Sequence, residues 1–210
     1  RPFFAHLALH GPHDDTGAAN APAALLAPAG ERGARAVAAL GGLKRAGSRL
    51  RYAFGRALMA ADGAFGEVLE AFTDAGLFDA GLIVAVASDN GGWPCGLNLR
   101  GSNAPLRGAK FSYHEGGVRV PGFVFASPSG STAGLLPAAS RGGSYAGPMH
   151  AVDWLATLAG RAGASLADDA DIDGVDQWRA IAAAGAEASP RAEVVLALDP
   201  AFFALRVGDL

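Results

Sequence analysis

Cys95 is the only cysteine in the chain, so no internal disulfide can form, and a lone thiol leaves the redox compartment unread. A basic run is also missing. With 17 Lys+Arg against 20 Asp+Glu and a net charge of -3, nothing in the chain can follow a phosphate backbone, which argues against a nucleic-acid partner. Apolar stretches such as "GLIVAVA" and "PGFVFA" fall far short of the roughly 20 residues that span a bilayer, so no membrane partner is expected. The chain starts at Arg1 without a methionine or a charged-then-apolar leader, and it is expected to be an excerpt of a longer protein. No internal repeat is visible.

What is present is enough apolar material, 50% of 210 residues, for one sizeable core or a core plus a small appendage. Glycine and proline gather between 11 and 30, 89 and 122, and 127 and 148, which predicts three long loops around regular elements. Residues 2–10, "PFFAHLALH", read as a short buried strand broken by "GPHDD", so that His13 lies just past a strand end. From 48 to 75, apolar residues at helical spacing predict a long core-facing helix, with Ser48 as N-cap and Gly76 as its stop. "GLIVAVA" from Gly81 to Ala87 is too continuously apolar for a one-sided strand, and a helix feeding a buried strand implies a βαβ unit.

Further on, "VPGFVFAS" predicts a strand in which Pro121 and Gly122 suit an edge or a bulge. "MHAVDWLATLAGRAG" predicts a helix with Val152, Leu155, Ala156 and Leu158 on its core face. "EVVLALD" and "AFFALRV" predict two strands of a small separate sheet.

Two polar clusters fall at predicted strand ends, where open α/β sheets collect ligands: His13, and Asp89 with Asn90 in "SDNGG". A carboxylate and an amide carbonyl are hard oxygen donors suited to Ca²⁺ or Mg²⁺. Taken alone, the same stretch reads first as a turn that ends a strand, because Asn and Gly tolerate positive φ. "PLRGAKFSYHEGGVRVPGFV" then brings Arg107 and Lys110, and a lysine near a dication suits an anionic oxygen-rich group such as sulfate or phosphate. Glu115 and Arg119 are spaced for an ion pair that supports this loop. His150 reads as capping or packing at a helix start, while His6 and His10 carry no assignment.

Together "PFFAHLALHGPH", "SDNGGWP", "PLRGAKFSYHEGGVRVPGFVFASP", "MHAVDWLATLAG", "IDGVDQW" and "LALDP", in this order, resemble the sulfatases, and within them the arylsulfatase B-like group. The resemblance implies an alkaline-phosphatase-like α/β fold, a mostly parallel sheet with helices on both faces, present incompletely. Residues 1–165 would be the later part of the catalytic domain and 166–210 the start of a small C-terminal subdomain. It implies hydrolysis of a sulfate ester on an aryl compound or carbohydrate. Asp89 and Asn90 would be calcium ligands, Lys110 would contact the sulfate and the leaving oxygen, and His13 would assist departure of the alcohol. Such proteins are secreted, lysosomal or periplasmic, although no N-x-S/T sequon is present here.

The sequence departs from that pattern at the nucleophile. Sulfatases use a formylglycine made from the Cys of a C-x-P-x-R motif, and Cys95 is followed by Gly96, Leu97 and Asn98. The early acidic pair that completes the calcium site is also missing, and neither Asp14–Asp15 nor Asp168–Asp169 is placed to replace it. This polypeptide alone is therefore expected to be inactive. Two alternatives stay open: a related phosphoester or phosphonate hydrolase, and a truncated or degenerate sulfatase-like protein without catalysis.

Overall fold

The computed structural model describes residues 3–13, 30–45, 49–93, 101–164, 166, 171–199 and 202–208. Two compact units divide the chain: one formed by 1–3, 79–85 and 124–210, the other by 4–78 and 86–123. The expected helix cap Ser48, Cys95 and the acidic pairs at 14–15 and 168–169 lie outside the described residues. So do residues 165 and 167–170, around the expected domain boundary.

The second unit contains α1 (Gly30–Arg45) and α2 (Arg49–Asp74). Gly55 permits their close approach, since a Cβ there would fall on the Leu40 side chain. Helix α2 buries Ala57 and stops as expected at Gly76, whose φ of +71° suits glycine and whose N–H donates to the Thr73 carbonyl at 2.9 Å. Gly11 lies against α2, where a Cβ on it would come within 3.2 Å of the Ala57 carbonyl. Of the strand expected over 2–10, the described residues 3–10 lie in no strand and are all exposed, Phe4 by 77%. An apolar run becomes a strand only when a neighbour takes its backbone hydrogen bonds.

A short helix α3 (Leu77–Ala80) leads into β1 (Ile83–Ala87), which pairs with β2 (Gly122–Ala126). The Ser127 N–H donates to the Leu82 carbonyl at one end, and the Ser88 N–H to the Pro121 carbonyl at the other, so the two strands run in opposite directions. Mixed sheets of α/β proteins commonly include such a strand. Strand β1 is half-buried rather than buried, and Pro121 falls just before β2, where its missing N–H costs no ladder bond.

The first unit is built on α5 (Asp153–Arg161), α6 (Trp178–Ala182) and the hairpin β3 (Glu193–Asp199) with β4 (Phe202–Val207). The hairpin is the separate two-stranded sheet expected, antiparallel with Glu193 opposite Val207 and Asp199 opposite Phe202. Helix α5 buries only part of the face expected: Ala156 is buried and Leu158 half-buried, but Val152 and Leu155 are exposed, and Asp153 and Thr157 are buried in their place.

The reason is a polar network around Asp153, whose carboxylate is fully buried. It accepts from the Arg191 Nε at 2.8 Å, the N–H groups of His150 at 2.8 Å and Val175 at 2.9 Å, and the Gln177 amide at 3.0 Å. Burial pushes the Asp153 pKa up, but hydrogen bonds from Arg191, His150, Val175 and Gln177 outweigh it, and the carboxyl lies below its ordinary value. Hydrogen bonding to Asp153 likewise raises the Arg191 pKa above its ordinary value. Thr157 Oγ accepts the Gln177 N–H at 3.0 Å, and Trp178 donates its Nε1–H to the Leu135 carbonyl at 3.1 Å. Every oxygen of Asp153 is engaged, so this cluster locks α5 to the chain before β3 and has no capacity left for a ligand.

Candidate functional site

All four residues singled out for chemistry, His13, Asp89, Asn90 and Lys110, lie in the unit formed by 4–78 and 86–123. Asp89 and Asn90 follow β1 directly, as the sequence pattern predicts. Asp89 Oδ1 accepts the Asn90 N–H at 2.8 Å, and the Asn90 amide donates to the Gly91 carbonyl at 2.9 Å. These bonds fix both side chains against their own turn. They leave Asp89 Oδ2 and Asn90 Oδ1 with no hydrogen bond among the described residues, two hard oxygens at the carboxyl end of a strand.

The glycines of "SDNGG" serve another purpose than the positive φ expected of a turn, because neither Gly91 nor Gly92 has one. Gly91 is buried against the short helix α4 (Glu115–Val118): its N–H donates to the Gly117 carbonyl at 2.9 Å, and a Cβ on it would fall on the Gly116 carbonyl. Gly116 in turn donates to the Arg107 carbonyl at 2.7 Å, and a Cβ on Gly116 would strike the Arg107 and Gly108 carbonyls. "DNGG" and "EGG" are thus one backbone-to-backbone contact that only glycine permits. The predicted Glu115–Arg119 pair forms across the ends of α4 at 3.2 Å.

Asn103 connects this contact to Lys110, a role the sequence pattern did not reveal. Its Oδ1 accepts the Gly92 N–H at 2.8 Å, and its amide donates to the carbonyls of Gly92 at 2.8 Å and Gly108 at 3.2 Å. The same Gly92 carbonyl accepts the Lys110 N–H at 3.1 Å. The lysine backbone is therefore tied to the turn that carries Asp89 and Asn90. The only hint was an asparagine two residues before the proline of "NAPLRG".

His13 reaches the same neighbourhood from the other end of the unit. Its N–H donates to the His10 carbonyl at 3.0 Å, and the two imidazoles have centroids 5.3 Å apart. Lys110 Nζ is 3.4 Å from His13 Nε2. An ammonium only donates, so in a hydrogen bond between the two Nε2 is the acceptor. The structure thus brings His13 and Lys110 together across nearly the whole unit. Elsewhere, His150 accepts the Val152 N–H on Nδ1 at 3.2 Å, a local bond at the start of α5. Among the described residues no group of three or more His, Cys, Asp or Glu side chains is placed to hold a metal ion. No helix among them is long and apolar enough to cross a membrane.

Helices and strands with two oxygen donors at a strand's carboxyl end, and a lysine paired with a histidine in the same unit, define a partial α/β protein whose polar residues gather where such folds place their sites. The chain belongs to the sulfatase family, whose sequence profile matches residues 1–164. It is 35% identical to arylsulfatase J of Mus musculus over 162 residues, 77% of this chain and 24% of that protein. Steryl-sulfatase of Rattus norvegicus is 35% identical over 136 residues, 62% of this chain and 22% of that protein. The chain thus spans about a quarter of the length of these curated relatives. The crystal structure of Ps i-CgsB in complex with k-i-k-neocarrahexaose superposes with a TM-score of 0.61 at 27% identity, covering 76% of this chain and 33% of that one. The fold is accordingly the alkaline-phosphatase-like α/β fold of the sulfatases, present in part.

Proposed function

We propose that the protein to which this chain belongs hydrolyses sulfate esters of aryl compounds or carbohydrates, with residues 1–165 in its catalytic domain and 166–210 opening a C-terminal subdomain. The observation that carries this reading is the 3.4 Å pairing of Lys110 with His13 in a member of the sulfatase family. The bound neocarrahexaose of the Ps i-CgsB structure supports a carbohydrate as one substrate class. A secreted, lysosomal or periplasmic location goes with the same reading.

Asp89 and Asn90 fit a calcium ion as two of its ligands, through the oxygens their own turn leaves open. Calcium takes about 6–8 oxygens, so further donors come from outside these two residues. Bound there, the ion would offset sulfate charge. The chain's own residues supply the rest. Lys110 presents a compact positive charge to a sulfate oxygen and to the oxygen that leaves with the alcohol. His13 is the imidazole beside that lysine, and with the ammonium turned to the sulfate its Nε2 can donate a proton to the leaving oxygen. The nucleophile expected in this family, a formylglycine, has no counterpart in the chain, and this polypeptide alone is expected to be inactive.

The test is to assay the complete protein on p-nitrophenyl sulfate and p-nitrophenyl phosphate, with calcium and after its chelation. Calcium-dependent sulfate release is the expected result. Turnover of the phosphate alone would replace the reading by a phosphoester hydrolase, and turnover of neither by a non-catalytic protein.

A further inference from the structure

Trp93 and Phe111 flank the candidate site, and the chemistry above makes no use of either. Trp93 directly follows "SDNGG", and Phe111 directly follows Lys110. Their rings meet edge to face, with centroids 5.2 Å apart and planes at 89°. Both stand in solvent, Phe111 exposed by 78% and Trp93 by 42%. Two large aromatic rings left in water forgo the free energy that covering them would provide.

The backbone adds an independent observation. Phe111 has a φ of 72°, one of two non-glycine residues with positive φ among those described. Bulky side chains avoid this region, and such strain persists where neighbouring structure imposes it, often at ligand sites. Here the chain on both sides is held. The Lys110 N–H is bonded to the Gly92 carbonyl at 3.1 Å, and the Ser112 N–H to the Ala109 carbonyl at 2.9 Å. The left-handed residue thus sets the ring beside the lysine, whose ammonium lies 5.5 Å from the Phe111 centroid. Two perpendicular rings make a corner, a floor and a wall, next to a positive charge.

We infer that Trp93 and Phe111 form a stacking corner for the six-membered ring that bears the sulfate group, an aryl ring or the apolar face of a pyranose. The inference rests on the reading that the site takes sulfate esters of aryl compounds or carbohydrates, and it adds the two residues that receive the ring. Lys110 meets the anionic group while the corner receives the ring attached to it. Both kinds of ring offer the same flat apolar face to an aromatic partner.

The test uses the complete protein and the variants Phe111→Ala, Trp93→Ala, Phe111→Gly and Phe111→Trp. Substrates are p-nitrophenyl sulfate and a sulfated galactose, with inorganic sulfate as a ringless inhibitor. Alanine at either position should raise KM for ring-bearing esters about tenfold and leave kcat and the sulfate inhibition constant within about twofold, with Phe111→Trp restoring KM. A larger rise for the sugar ester assigns the corner to a pyranose, and a larger rise for the nitrophenyl ester to an aryl ring. Phe111→Gly should raise KM equally while raising the melting temperature, because glycine accepts the left-handed backbone. Weakened inhibition by inorganic sulfate in step with KM overturns the inference. So does a lowered melting temperature with KM unchanged, since the rings would then be covered by protein. A wild-type protein that hydrolyses no sulfate ester defeats the proposed activity itself, before any variant is compared.

Discussion

Asn103 holds the Gly92 peptide from both sides, accepting from its N–H and donating to its carbonyl, each at 2.8 Å. The amide orientation follows from its partners, because the reverse assignment would put oxygen against the carbonyls of Gly92 and Gly108. Asn103→Ala leaves these groups unpaired at a half-buried position and should lower stability by about 1–3 kcal/mol. Asn103→Asp should be at least as damaging, since it sets a carboxylate oxygen against two carbonyls. Urea denaturation of both variants checks the order. In the complete protein both should also lose sulfatase activity, because Lys110 hangs on the same Gly92 carbonyl.

The packing of Gly91 on Gly116 leads to a paired prediction. A Cβ at Gly91 falls on the Gly116 carbonyl, which is backbone and cannot swing away. Gly91→Ala should therefore cost about 3 kcal/mol. Gly66, inside α2, has nothing within 4 Å of its would-be Cβ. Gly66→Ala should stabilise the chain by about 0.5–1 kcal/mol through helix propensity alone. Denaturation midpoints of opposite sign in the two variants are the expected result.

These two glycines mark how far the sequence could be read. Local signals were legible: the helix ending at Gly76, the strand before "SDNGG", and the β3–β4 hairpin all came from apolar periodicity and turn residues close together in the chain. The strand-end position of Asp89 and Asn90 came the same way. What was not legible depended on partners far along the chain. The reason for Gly91 is a carbonyl of α4, 25 residues along the chain, so a turn was the natural reading. The inward face of α5 was misjudged because burying Asp153 in place of Leu155 makes sense only once Arg191, 38 residues later, is seen to pair with it. Residues 3–10 read as a strand from composition, yet a strand also needs a neighbour that composition does not name.

The Asp153–Arg191 pair sets an acid limit on stability. The folded-state pKa of Asp153 is held below its ordinary value, so its contribution is present above the unfolded pKa of about 3.9. That contribution is lost as pH falls from there through the folded value. The raised Arg191 pKa acts only at strongly alkaline pH, where an arginine loses its proton. Denaturation midpoints should therefore be level in this respect from pH 7 to 5 and decline below about pH 4. Asp153→Asn should cost about 3–5 kcal/mol at pH 7, since it leaves a mostly buried guanidinium without its counter-charge, and should flatten the acid decline. An Asp153→Asn profile parallel to the wild type would show that another carboxylate governs the acid limb.

His13 and Lys110 separate by leaving group. If His13 delivers a proton to the departing oxygen, its value depends on how much that oxygen needs one. p-Nitrophenolate leaves readily without protonation, whereas a sugar alkoxide does not. In the complete protein His13→Ala should reduce kcat about 10²–10⁴-fold on a sulfated sugar and far less on p-nitrophenyl sulfate. On the proposed reading the Lys110 charge faces the sulfate itself, common to both substrates, so Lys110→Met should reduce kcat/KM on both by similar factors. Since Nζ and Nε2 are 3.4 Å apart, the two groups form one unit, and the double variant on the sugar ester should fall short of the product of the single losses. A fully multiplicative loss, or a His13→Ala defect blind to the leaving group, would remove His13 from proton transfer and leave it only a positioning contact for Lys110.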